Sequence, residues 1–410
     1  MIGCKKEKNI LFVNNSPVYL KNGHNSVFLG LLSAINKYNL NQKLNIYVAS
    51  LNWNIDDEIG DQIRNLVNEY TLGEIRFLIS KRLLPRNVFI FQVFRILKNM
   101  IFILYLSLKY HIDTIFAYTQ TGSILSLPTT IILNKKMLFH WCSDAESELL
   151  YLSACFFNKV RAKLMRVVEF LSVKFSNHVF CVSALAVKKL SRYISIKHIS
   201  QIPNAVNSNR FFWDIKTYKN SINSMKLDNR FVVVYSGTLR KYQRIDKMLD
   251  VFKRILQCVP EALFLFLSPD SAKKIQYYFE QFNIPNRNYR ILSVSPNMLA
   301  KYLTVGNVGF LLRGNNYLNR VAWPTKFAEY LACGVPVMIT RSLGEQSLIV
   351  EKYGLGVVIE DLEDNCEIDN KIAIILNRFQ GNIKAKEKCS SFAQKYLSWN
   401  TYVPRIFDRV

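Results

Sequence analysis

The feature that most constrains this chain is an alternation. Strand-length apolar runs recur along it, each followed by a stretch whose apolar residues keep helical spacing. In the first half the runs are Asn9–Asn14 (NILFVN), Leu44–Ala49, Glu74–Ile79, Asp113–Tyr118 (DTIFAY), Lys136–Trp141 (KMLFHW) and His178–Ser183. In the second half they are Phe231–Ser236 (FVVVYS), Ala262–Ser268 (ALFLFLS), Tyr289–Val294, Asn307–Leu312, Val335–Thr340 and Leu355–Ile359. Runs apolar on both faces belong to strands covered on both sides, which is the signature of parallel sheets with crossover helices. The chain therefore reads as α/β with two doubly wound, Rossmann-like domains. At 410 residues it is too long for a single core. The expected division is a first domain over 1–205, a polar Asn/Ser/Lys-rich linker over 206–228 and a second domain over 229–395. A closing helix over 396–410 is expected to return to the first domain. Ligands of such sheets bind outside the carboxyl ends of the strands. Two such domains in one chain are expected to face each other across a cleft.

Charge narrows the partners. The formal net charge is +24, spread over both halves: 25 Lys and Arg against 12 Asp and Glu in residues 1–205, and 29 against 18 in residues 206–410. A basic surface of this kind suits a polyanion. No nucleic-acid-binding motif is visible, so an anionic membrane surface and phosphorylated small molecules are expected ahead of DNA or RNA. The eight cysteines form no C-x-x-C pair, and the five histidines have no metal-ligand spacing. Reduced thiols, no metal, no cofactor and a cytoplasmic location are expected. The basic N-terminus runs straight into a strand with no small-residue cleavage pattern, so no signal peptide is expected. The apolar window Asn87–Tyr110 is interrupted by Arg95 and Lys98, and its uncharged part is too short to cross a bilayer. This window and Phe156–Phe175 both mix basic with large apolar residues. Two readings stand: helices lying on the inner face of an anionic membrane, or helices packed on the first sheet with a wet basic edge.

The densest chemistry lies in Asn319–Val337, NRVAWPTKFAEYLACGVPV. Pro324 suits a helix start, Gly334 and Pro336 a helix stop, and Val335–Thr340 a buried strand. The short helix is expected to carry Phe327 and Leu331 on one side, with Lys326, Glu329 and Tyr330 toward another. A helix N-terminus at Thr325 with Lys326 in its first turn is a ready anion site. Glu329 can accept two sugar hydroxyls. A second motif is the turn after Phe231–Ser236, where Gly237 and Thr238 precede Arg240, Lys241 and Arg244. Glycine lets a ligand approach the backbone, and the cations suit a diphosphate. Gly23 and His24 sit before a helix after the first strand. His140 and Asp144, in FHWCSDAESE, read either as groups that bind or activate a hydroxyl or as an acidic helix start. Asn204, in IPNAVNSNRFF, reads as a turn where the chain leaves the first domain.

Taken in order, the KNGH loop, Phe180–Leu190, Ile202–Phe212, Tyr235–Asp246 and Asn319–Val337 resemble the retaining nucleotide-sugar glycosyltransferases of family four, of the kind that builds bacterial polysaccharides. The resemblance covers nearly the whole chain and implies the GT-B architecture. By resemblance, Glu329 holds the donor ribose. Arg320 through Lys326, with Pro324 and Thr325, surrounds the donor diphosphate. Gly237 and Thr238, with Arg240, Lys241 or Arg244, form the phosphate-binding turn. Gly23 and His24 approach the donor from the other domain, and His140 and Asp144 lie near sugar and acceptor. The implied substrates are a nucleoside-diphosphate sugar and a glycan or polyprenyl-linked acceptor. Two departures stand out. Val321 replaces the first of a pair of glutamates found in many members, and Thr238 replaces the usual arginine after the strand-end glycine. A nucleotide-sugar 2-epimerase and a noncatalytic binding subunit of the same architecture are the alternative readings.

Overall fold

The computed structural model of the protein describes residues 8–15, 23–39, 44–53, 75–81, 89–152 and 156–410. The turn 16–22 and Glu74, which the sequence assigns to a glycine-containing loop and a strand start, lie outside the described residues, as do Asn87 and Val88. The chain forms two compact units, Met1–Pro203 with Trp399–Val410, and Asn204–Ser398.

The first unit is built on strands β1 (Lys8–Asn14), β2 (Leu44–Trp53), β3 (Ile75–Lys81), β4 (Thr114–Tyr118), β5 (Lys136–Trp141), β6 (His178–Cys181) and β7 (Ile199–Gln201). Every pairing is parallel, in the order β3-β2-β1-β4-β5-β6-β7. All twelve expected strands form, with ends moved by a few residues. The thirteenth, β7, is a three-residue edge strand too short to leave a periodic signal. Helix Trp399–Phe407 belongs to this unit, where Phe407 stacks on Tyr38 at 5.3 Å between ring centroids.

The second unit contains β8 (Val232–Ser236), β9 (Leu263–Leu267), β10 (Tyr289–Leu292), β11 (Val308–Leu311), β12 (Val337–Thr340) and β13 (Gly356–Ile359). They are again all parallel, in the order β10-β9-β8-β11-β12-β13. Every residue of β8, β9, β11 and β12 is buried, as runs apolar on both faces require. One face of the sheet is organised around Phe264, whose ring meets Phe252, Phe279 and Phe310 at 5.1–5.6 Å. Burying side chains of this size contributes roughly 1.5–3 kcal/mol each.

Residues 206–228 are not a linker. Val206 pairs with Ser398 and Asn204 donates to the Trp323 carbonyl at 2.7 Å, so the chain is already inside the second unit at its start. Helix Ile215–Met225 follows, capped by Asp214, which accepts from Thr217 N at 2.8 Å. Its sequence, IKTYKNSINSM, has few apolar side chains, and Ser221 is its only buried residue. That composition is why the stretch reads as a loop.

Candidate functional site

In the second sheet the strand order reverses between β8 and β11, and ligands of doubly wound sheets sit in the crevice at that switch point. β8 ends at Ser236 and turns at Gly237. β11 ends at Leu311 and runs through Leu312 to Arg313. Gly237 has φ +146°, and its N–H donates to the Leu267 carbonyl at 2.9 Å. A Cβ at this position would lie 2.6 Å from Lys326 Nζ and 2.8 Å from its Cε. Only glycine leaves room for the lysine there.

Lys326 comes from the helix Thr325–Ala332, which starts at Pro324 without a side-chain cap. The helix ends at Gly334, φ +71°, against Trp213. All residues from Lys326 to Ala332 are buried, so the amphipathic split expected from the sequence does not hold. Tyr330 lies over Gly309 of β11, and its hydroxyl accepts from Ser236 N at 2.8 Å. The other side of the helix is covered by Ile383–Tyr396, where Ser390 donates to the Ala332 carbonyl at 2.9 Å.

Lys326 Nζ donates to Tyr235 Oη at 3.1 Å and Gln243 Oε1 at 3.0 Å, and it sits 4.2 Å from the Tyr235 ring centroid. Burial, and then the charge of Arg313, hold its pKa well below the usual lysine range, while Glu329 acts in the opposite direction. Glu329, three residues further along the helix, is buried too. Burial pushes its carboxyl up to about 7, opposed by Arg210 and Lys326. The helix thus brings a desolvated amine and a desolvated carboxyl to one spot.

Arg244, Arg313, Arg320 and Arg341 line a cavity of about 420 Å³, together with Thr340 and Ser342 at the end of β12 and the acidic residues Glu360, Asp361 and Glu363. Arg244 adopts φ +47° before the helix Ile245–Cys258 and pairs with Asp246 at 2.9 Å and Glu363 at 3.6 Å. Arg341 is held by Glu360 at 2.5 Å and Glu351 at 3.1 Å. Arg320 is exposed on the short helix Tyr317–Val321. Arg240 and Lys241 are exposed on the loop after β8 and are not among the residues lining this cavity. The Thr238 carbonyl accepts from Tyr235 Oη at 2.8 Å. Two members of the site escape the sequence reading, Arg313 and Gln243. The available signal is a cation standing one residue past a buried run, in GFLLRG; that this run neighbours β8 is visible only in the sheet order.

In the first unit, Gly23 and His24 open the helix Gly23–Asn39. His140 is buried near the end of β5, 5.2 Å from the Tyr118 ring and 6.4 Å from the Trp399 ring. Asp144 is buried as well, and its carboxylate is committed. It accepts from Ser147 N at 3.0 Å at the start of helix Ala145–Leu152, and it pairs with Lys189 at 2.8 Å. Lys189 also holds Glu169 at 2.9 Å, and Glu169 accepts from Trp141 Nε1 at 2.7 Å. Asp144 thus stands at a helix start, as one of its two sequence readings has it, and carries an ion pair as well.

Residues 277–395 match the family model described as Glucosyltransferase 3-like, C-terminal domain. No curated protein matches the chain in sequence. Among solved structures, the chain is similar to HepE from Anabaena in complex with UDP and glucose, with a TM-score of 0.70 at 14% identity over 98% of this chain and 99% of that one. It is similar to sucrose-phosphate synthase from Thermosynechococcus elongatus, with a TM-score of 0.74 at 14% identity, covering 98% of each chain. WaaG, a glycosyltransferase involved in lipopolysaccharide biosynthesis, gives a TM-score of 0.68 at 9% identity over 97% and 99% of the two chains. The fold is therefore GT-B, two parallel-sheet Rossmann-like domains, with a glucosyltransferase-like domain in the C-terminal part of the chain.

Proposed function

We propose that this protein is a glycosyltransferase that moves a sugar from a nucleoside-diphosphate sugar to a hydroxyl of a glycan or polyprenyl-linked acceptor, in the synthesis of a surface polysaccharide. The observation that carries the reading is the meeting of Lys326 and Gly237 at the β8/β11 switch point, beside a cavity lined by four arginines, of which Arg244 and Arg341 are paired with its acidic residues. In the reaction the bond from the anomeric carbon to the diphosphate oxygen breaks, a bond to the acceptor oxygen forms, and the acceptor proton is released. Negative charge grows on the departing diphosphate. Prepositioned cations in a dry site stabilise that charge without reorganisation. This role falls to Lys326, with Arg240, Lys241 and Arg244 as further cations, and no metal is invoked. Glu329 accepts the ribose hydroxyls. Retention of configuration follows from the family resemblance. The decisive experiment is a thermal-shift panel of UDP-, GDP-, ADP- and CMP-sugars, followed by radiolabel transfer to lipid-linked acceptors. Turnover of the stabilising donor is expected to fall by about 100-fold or more in the Lys326→Ala, Glu329→Ala double variant. Unchanged turnover refutes the assignment.

The acceptor partner extends to an anionic membrane surface at the inner face of the cytoplasmic membrane. Among the described residues no helix is long and apolar enough to cross a membrane. Two helices of the first unit instead expose apolar stripes: Phe94, Leu97, Ile101 and Leu108 on Phe89–Lys109, and Phe157, Val160, Leu164 and Val167 on Phe156–Lys174. Phe157 is 77% and Ile101 66% exposed. The first helix carries no Asp or Glu, and the single one on the second, Glu169, is buried against Lys189. Lys159, Arg161 and Lys163 stand exposed beside the second stripe. Large apolar side chains flanked only by accessible cations suit an anionic bilayer surface.

A further inference from the structure

We propose that Arg313, which lies outside the pattern of the resembled family, is the fixed cation that binds the donor diphosphate in the cavity at the β8/β11 switch point. The proposal rests on the nucleotide-sugar reading above and adds a residue and a role to it. Arg313 is only 8% exposed, yet its Nε has no hydrogen-bond partner and no carboxylate pairs with it among the described residues. A buried guanidinium without a counter-ion is expensive and is expected to find an anion. Two other arginines of the cavity already have theirs, Arg244 in Asp246 and Glu363, Arg341 in Glu360 and Glu351.

Arg313 is also held ready. Its N–H donates to Thr340 Oγ1 at 3.0 Å and its carbonyl accepts from Ser342 Oγ at 2.8 Å, so the end of β12 fixes its backbone. Its guanidinium lies 5.1 Å from the Tyr242 ring centroid. The next residue, Gln243, accepts from Lys326 Nζ. The line Arg313–Tyr242–Gln243–Lys326–Gly237 thus joins the carboxyl ends of β11 and β8. The charge of Arg313 disfavours that of Lys326, and a diphosphate bound to Arg313 relieves this repulsion. The substitution at Thr238 then has a physical explanation. The guanidinium that the resembled family supplies from the turn after β8 is supplied here from the neighbouring strand, β11.

The test uses the full chain with Arg313→Met and Arg313→Lys. Calorimetric titrations with UDP, GDP, ADP and inorganic pyrophosphate give affinities, and thermal unfolding without ligand gives stability. The diphosphate that binds the parent protein is expected to lose about tenfold or more in affinity in the Met variant, with the Lys variant between the two, because a lysine restores charge but not the two-pronged hydrogen bonding. The unliganded Met variant is expected to melt at or above the parent temperature, since a structural ion pair would give the opposite sign. Diphosphate and pyrophosphate affinities within twofold of the parent in both variants overturn the proposal while leaving the donor site in place. A parent protein that binds none of the four probes removes the donor-site reading and this inference together.

Discussion

Glu329→Gln separates a buried, ligand-awaiting carboxyl from a structural one. The folded-state pKa of Glu329 is about 7, raised from an ordinary 4.5 chiefly by burial. An acid whose pKa is higher in the folded than in the unfolded chain binds more protons when folded between those two values. Stability therefore falls as pH rises from about 4.5 to about 7 and levels above. At about 1.36 kcal/mol per pH unit, the interval corresponds to a loss on the order of 3 kcal/mol. A glutamine keeps the shape and has nothing to ionise. The variant should match or trail the parent at pH 4.5 and gain on it steadily to pH 7.5. For a unit of the size of Asn204–Ser398, 1 kcal/mol moves the melting temperature by about 2–4 °C, so the relative gain is roughly 6–12 °C. The assay is thermal unfolding of both proteins across pH 4.5–8 without ligand. A difference in melting temperature that stays flat with pH refutes the reasoning. It would mean that water or Arg210 solvates the carboxylate well enough to keep it ionised.

Two further outcomes follow from the same geometry. Gly237→Ala should cut donor affinity by about tenfold or more, because a methyl group there meets the Lys326 amine at 2.6 Å on a backbone with φ +146°; calorimetry with the bound diphosphate checks it. Replacing Phe157, Leu164 and Ile101 together by serine should abolish co-sedimentation with anionic phosphatidylglycerol vesicles, while thermal stability and transfer to a water-soluble acceptor stay unchanged. Vesicle binding that persists in this variant would assign the exposed stripes to another partner.

The apolar runs determined both parallel sheets, because a strand covered on both sides has to be apolar on both faces, and that pattern needs no knowledge of neighbours. The run from Asn319 to Val337 likewise carried its helix, its glycine stop and its strand. What escaped was whatever depended on position in space. The alternation of Lys326 and Phe327 reads as two faces of a surface helix, but Tyr235 and Gln243 enclose Lys326 while Ile383–Tyr396 packs along the helix, so both faces are buried. Helix Ile215–Met225 spaces Ile215, Tyr218, Ile222 and Met225 helically but among polar residues, only Ser221 is buried, and its place in the second unit rests on contacts distant in sequence such as Arg290 to the Met225 carbonyl. Asp144 looks the same in sequence whether it meets a substrate hydroxyl or Lys189, which is 45 residues away along the chain. Arg313 is the sharpest case. In the sequence it is one cation among 54 Lys and Arg. The order β8-β11-β12 sets it at the switch point, against the Tyr242 ring, and no carboxylate pairs with it among the described residues. Local chemistry wrote the strands, the turns and the glutamate of this protein. Strand order and burial decided which of its many charges face an anion and which are already paired.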